Sequence, residues 1–245
     1  MASATASLAP ANQRRRSFIY RVLDGIGAEW GEVGGVAVPL GYGRGIETET
    51  ADARRMGLVE LTPLPRTGFK GAGTVDWLKG QGLTIGEPAN IAYPQAGGEL
   101  ALKLAMTEIF LIDSLAATGA MIERLNSAWQ WAGAAPRPAM GYPVPRRDSH
   151  AWFTVTGARA PGMFAKICGV DLRPHKFENR RIAQTSAAKM GAVIVRDDMG
   201  GVPAYHVLAD MASSEYLWGC LLDAMAEFDG APVGLAALRR LAGKG

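Results

Sequence analysis

The sequence predicts an α+β fold of antiparallel sheets with packed helices. Three stretches carry that expectation. Residues 151–172 begin with the β-branched and aromatic run Trp152-Phe153-Thr154-Val155 and turn at Gly157-Ala158. They continue with Met163, Phe164 and Ile167 at helical spacing, so a strand feeds a short helix stopped by Gly169. Leu100, Leu102, Leu104 and Met106 alternate with Ala101, Lys103 and Ala105, the two-residue period of a strand with one buried face. Two strand-like runs, 192–196 and 203–208, flank Asp197-Asp198-Met199-Gly200-Gly201, a turn that makes them a hairpin.

The totals set the frame. With 245 residues, 48% hydrophobic and 20% charged, the chain can bury a substantial core in one domain or two closely packed halves. Lys and Arg number 26 against 23 acidic residues, which gives no electrostatic case for nucleic acid; the basic cluster Arg14-Arg15-Arg16 falls in a tail. Cys168 and Cys220 sit in apolar helical runs as small buried hydrophobes, in keeping with a reducing, cytoplasmic setting. No apolar run approaches the roughly 20 residues of a membrane span. Residues 1–16 read as a disordered tail, without the apolar core of a secretory signal.

Taken in order, 17–133 forms a first half. Residues 18–27 are helical and 36–40 a strand; 46–56 is a helix with Glu47 and Glu49 in its first turn, and 58–61 a short strand. Residues 70–73 make a turn into a helix over 74–81, 83–95 is irregular, and 109–112 pairs back on the alternating strand. A helix over 114–129 lines up Leu115, Ile122, Leu125 and Trp129. Residues 134–147 hold Pro136, Pro138, Pro143 and Pro145 and form the connection between halves, outside regular structure. In the second half, 148–245, a strand over 181–187 precedes the hairpin. Ser213 or Ser214 then caps a helix with Leu217, Cys220, Leu221, Ala224 and Phe228 on one face, and a basic segment ends the chain.

Chemistry is sparse. Gly41-x-Gly43-x-Gly45 between a strand and a helix imitates a dinucleotide-binding turn, but the third glycine comes one residue early. Glu47 and Glu49 would also meet the pyrophosphate with negative charge. His150, His175 and His206 lie on three different elements and define no metal site. Asp148-Ser149-His150 names a nucleophilic trio, yet adjacent side chains point apart and do not readily form a triad. Asp197-Asp198 is explained by turn chemistry. No catalytic or metal-binding residue is assigned.

Several segments together resemble the glycine-cleavage T-protein (aminomethyltransferase) family. These are 18–30 with 36–42, 47–54 with Gly57-Leu-Val-Glu-Leu-Thr62, the central Val155-Thr-Gly-Ala-Arg-Ala160, and Val233-Gly-Leu-Ala-Ala-Leu-Arg-Arg-Leu-Ala-Gly243. The resemblance implies a folate-binding-domain-like fold. It departs where the family's chemistry sits. Gly97-Gly98-Glu99-Leu100-Ala101 has apolar residues where the catalytic aspartates fall, Gly200-Gly201-Val202-Pro203 lacks the folate-clamping carboxylate, and Leu238 stands for the closing arginine beside Arg239. The chain also stops near the end of the folate-binding core. Such a stripped member looks most like the gamma subunit of heterotetrameric sarcosine oxidase or N-methylglutamate dehydrogenase.

That resemblance implies a non-catalytic partner of flavin-carrying subunits, with FAD, FMN and tetrahydrofolate in those partners and none in this chain. A free-standing folate-binding one-carbon transferase is the alternative, and Glu99, Tyr205 and Arg239 are then the residues to expect near folate. Trp129, Trp131, Met140 and Tyr142, in and beside the proline-rich connection, are the expected interface.

Overall fold

Pairing of the strands follows the burial that each run of side chains demands. The computed structural model describes residues 8–129 and 140–243. Helix α1 (Tyr20–Gly25) precedes a hairpin of β1 (Glu29–Val33) and β2 (Val36–Gly41), then helix α2 (Ile46–Met56) runs directly into β3 (Gly57–Glu60). Next come β4 (Arg66–Ala72), α3 (Thr74–Gly80), β5 (Ile91–Pro94), β6 (Leu100–Ala105), β7 (Glu108–Ile112) and α4 (Ala120–Ala128). The second half contributes β8 (Met140–Pro143), β9 (His150–Thr156), α5 (Ala160–Ile167), β10 (Ile182–Ala187), β11 (Met190–Arg196) and β12 (Ala204–Asp210). It ends with α6 (Ser214–Ala226), β13 (Ala231–Pro232) and α7 (Leu235–Leu241).

Six strands form one sheet in the order β10-β11-β12-β9-β3-β13, and five form another in the order β5-β6-β7-β4-β8. Strand β3 of the first half sits between β9 and β13, so the two halves share a sheet. Phe153, Val155, Tyr205 and Val207 on one face of the larger sheet pack under α5 and α6 with Phe164, Leu217 and Trp218. Trp152 and Leu208 on its other face share a cluster with Leu100, Leu102, Phe110 and Ile112 of the smaller sheet. The far face of the smaller sheet packs under α3 and α4 through Ile109, Leu111, Trp77 and Leu125. Two sheets thus lie between two layers of helices, each burying the apolar stripe of its neighbour.

This sandwich corrects the one-faced reading of β6, because 100–104 is buried throughout. Lys103 is accommodated because its Nζ donates to the carbonyls of Gly86 (3.0 Å) and Glu87 (2.7 Å). Five strands were hidden, among them β5 inside the stretch read as irregular and the two-residue β13. Glycines break the pattern of β1 and β4, and β8 carries the prolines read as excluding regular structure. Pro143 is tolerated because β8 stands at the edge of the sheet among the described residues, paired there with β4 alone, where a missing N–H costs little. The helix expected over 114–129 begins at Ala120, after a turn in which Asp113 accepts from the N–H groups of Ser114 and Gly119.

Residues 8–16, expected in a tail, lie against the domain. The Ala37 N–H donates to the Arg15 carbonyl at 2.9 Å, and Arg15 Nε to the Pro63 carbonyl at 3.2 Å. Helix α5 ends at Ile167 with Cys168 as its extended C-cap, ahead of Gly169. No side-chain hydrogen bond caps α6 at Ser213. The Gly157 turn into α5 has φ +114°, and a Cβ there would stand 2.2 Å from the Arg55 carbonyl, so only glycine fits. Both cysteines are free.

Candidate ligand cleft

A cavity of about 220 Å³ lies between the sheets, walled by Trp152 of β9, His206 of β12, the β11–β12 turn and the ends of β6 and β7. One side is apolar (Leu100, Ile112, Leu115, Met199) and the other polar (Asp113, Arg180, Asp197, Asp198). Strand alternation turns His206 into the space between the sheets while its neighbour Tyr205 faces the α5–α6 layer.

The polar side is wired together. The Trp152 indole N–H donates to His206 Nδ1 at 3.1 Å, and Thr154 Oγ1 lies 2.9 Å from the same nitrogen. An indole nitrogen can only donate, so Nδ1 is an acceptor and the imidazole proton sits on Nε2, facing Asp197 Oδ2 at 3.3 Å. The other oxygen of Asp197 pairs with Arg180. Arg196 forks onto Asp198 with contacts of 2.8 and 2.6 Å. Burial holds the Asp113 carboxyl above its ordinary range, although the Gly119 and Ser114 N–H groups pull it the other way. Each cleft carboxylate therefore already has partners within the chain. The arrangement can hold a small polar–apolar ligand, but it joins no nucleophile to a base.

The residues expected near folate are dispersed. Tyr205 is fully buried, and its hydroxyl donates to the Leu172 carbonyl at 2.8 Å, away from the cleft. Glu99 is buried between the lining residues Gly98 and Leu100 without lining the cavity itself. Arg239 donates twice to the carbonyl of Leu115, which lines the cavity, at 2.9 and 2.7 Å. Sequence reasoning missed Arg180, Asp113 and Trp152 and gave Asp197 and His206 structural roles. A histidine inside an otherwise apolar strand was the one available signal.

Other motifs resolve clearly. The glycine-rich turn before α2 is closed by Glu49, which accepts from the N–H groups of Tyr42 (2.6 Å) and Gly234 (2.8 Å) and so occupies the place of a phosphate. Ser149 Oγ does reach His150 Nδ1, at 2.8 Å, but Asp148 pairs with Arg15. Burial, then Arg146 and Arg66, push His150 down to about 4, leaving it a weak base. Among the described residues no group of three or more His, Cys, Asp or Glu side chains could hold a metal, and no helix is long and apolar enough to cross a membrane.

Among the expected interface residues, Trp129 belongs to the core, its ring 5.1 Å from Trp77 and 5.6 Å from Phe69. Met140 and Tyr142 are 71% and 51% exposed on β8. Trp131 lies outside the described residues.

No family model matches the sequence. The chain is 26% identical over 225 residues to the aminomethyltransferase of Mycolicibacterium paratuberculosis, covering 86% of this chain and 58% of that protein. It is 22% identical over 246 residues to a probable aminomethyltransferase of Aeropyrum pernix, covering 91% and 60%. It thus spans less than two thirds of these curated relatives. The structure superposes on glycine cleavage system aminomethyltransferase T from Bartonella henselae with a TM-score of 0.69 at 18% identity, over 93% of this chain and 62% of that one. The fold is that of the T-protein-like superfamily. Within it the chain is also similar to a chain of the heterotetrameric sarcosine oxidase from Corynebacterium sp. U-96, with a TM-score of 0.58 at 19% identity over 76% of this chain and 93% of that one.

Proposed function

We propose that this chain is a non-catalytic, gamma-type subunit of a cytoplasmic, heterotetrameric, flavin-dependent sarcosine oxidase or N-methyl amino acid dehydrogenase. Flavin-carrying partners oxidise the N-methyl amine, and tetrahydrofolate bound in them takes the one-carbon unit. The observation that carries this reading is the cleft. It lies between the two sheets, and its carboxylates are committed to Arg180, Arg196 and backbone N–H groups. The likeness to a sarcosine oxidase chain supports it.

With Leu100 and Val202 where a folate-clamping carboxylate would be expected, a pterin's amide and amino donors could be met only by carboxylates already engaged in the chain, and each donor left unpaired would cost about 1–3 kcal/mol. Calorimetry with tetrahydrofolate should therefore show no binding, or a constant weaker than about 1 μM. Tighter binding would favour the free-standing one-carbon transferase, a reading with its own support in the likeness to aminomethyltransferases.

Strand β8 is the proposed contact with the partners. Among the described residues it ends the five-stranded sheet, and it exposes Met140 and Tyr142. Met140→Ala with Tyr142→Ala is expected to weaken assembly with the flavin subunits about 30-fold, as for a 2 kcal/mol interface anchor, with the melting temperature of the isolated chain unchanged. Unaltered assembly would place the interface elsewhere.

A further inference from the structure

A second site stands apart from the cleft. The segment before α1, the 147–148 loop and the start of α6 enclose a groove of about 700 Å³. Five arginines line it (Arg14, Arg15, Arg16, Arg21 and Arg147) against two acidic residues, Asp148 and Glu215. Asp148 is already paired with Arg15 at 3.3 Å. The guanidiniums of Arg16 and Arg21 lie 4.7 and 4.9 Å from the centre of the Tyr20 ring, which fixes both beside the groove.

Helix α6 is 13 residues long and continues directly from a single 3-10 turn, Met211–Ser213, which brings its first turn to the groove; the Ser214 N–H is taken up by the Met211 carbonyl. Ser214, in its first turn, lines the groove and is 2% exposed, and its hydroxyl has no hydrogen-bond partner among the described residues. A buried hydroxyl left unpaired is costly and is ordinarily satisfied. An anion held at the helix start would accept from it.

We propose that this groove binds a phosphate-class anion, held by Arg14, Arg16 and Arg21 and by Ser214 in the first turn of α6. Guanidinium forks and a hydroxyl donor together match the several oxygens of a phosphate better than a single carboxylate.

The test is calorimetric titration of the full chain with inorganic pyrophosphate at low ionic strength, with a glutamate peptide of equal charge as the contrast. The wild type should bind pyrophosphate in preference to the peptide. Arg16→Ala with Arg21→Ala should weaken binding about tenfold or more, and Ser214→Ala severalfold. Ser214→Ala removes an unpaired group, so it should fold at least as well as the wild type; should the double variant fail to fold, exposed Arg14→Ala serves in its place. Absence of pyrophosphate binding, or equal affinity in the folded variants, overturns the proposal. Tighter binding of the peptide also overturns it and makes the groove a docking surface for an acidic chain.

Discussion

Arg66→Met is expected to destabilise the chain by about 4 kcal/mol, in the range of a broken buried polar network. Arg66 is 2% exposed, and its guanidinium donates to five carbonyls. Two, Thr62 (2.5 Å) and Leu64 (2.9 Å), belong to the segment leading into β4. The other three, Arg146 (3.1 Å), Arg147 (2.7 Å) and His150, belong to the chain entering β9. One side chain thus clamps the proline-rich connection onto the first half. Burial pulls its pKa down to about 10, so it stays charged at neutral pH. Methionine fills the volume but strands the carbonyls at about 1–3 kcal/mol each, less than additively. Urea unfolding measures the loss, and a thermal midpoint about 10 °C lower should accompany it. A loss below about 1 kcal/mol would mean that water replaces the clamp.

Glu60→Gln is expected to act in the opposite direction. Glu60 is 1% exposed on β3, and burial raises its carboxyl from an ordinary 4.5 to about 7 against the pull of Thr62 and the charge of Arg66. Between those pH values the folded state holds a proton that the unfolded state has released. Stability from this group is therefore full below pH 4.5, falls as pH rises towards 7 and is level above, with an amplitude on the order of 3 kcal/mol. Glutamine keeps an oxygen for the Thr62 N–H, which lies 3.1 Å from Glu60 Oε2, and carries no charge. The variant should exceed the wild type by about 1–3 kcal/mol at pH 8 and match it near pH 4.5. A difference that does not change with pH would show that Glu60 is not the titrating group.

Much of the architecture was legible because two-residue and helical periods report burial directly. Helix α2 and the β11–β12 hairpin stand where the pattern put them. What failed did so for physical reasons. Alternation in β6 could not reveal a second sheet partner, since Ala101 and a bonded Lys103 look like surface residues. Prolines disguised β8 because the cost of a missing N–H depends on being central or at an edge, which only topology decides. Trp129 read as interface because it borders that segment, yet it closes the aromatic cluster under α4. At the cleft, the choice between Tyr205 and His206 was a choice of sheet face, and one residue of register reverses it. The Arg180–Asp197–His206–Trp152 chain joins residues up to 54 positions apart that only folding brings together.

The central claim, a T-protein-like subunit that serves flavin-carrying partners, is tested most directly by purifying the tagged chain from its native host under non-denaturing conditions. Size, subunit identity and visible absorbance are then measured together. The account predicts one assembly holding this chain and flavin-carrying subunits in fixed ratio and oxidising an N-methyl amino acid, with the chain alone colourless and inactive. A chain that elutes by itself, binds tetrahydrofolate at or below about 1 μM and transfers a one-carbon unit would contradict it.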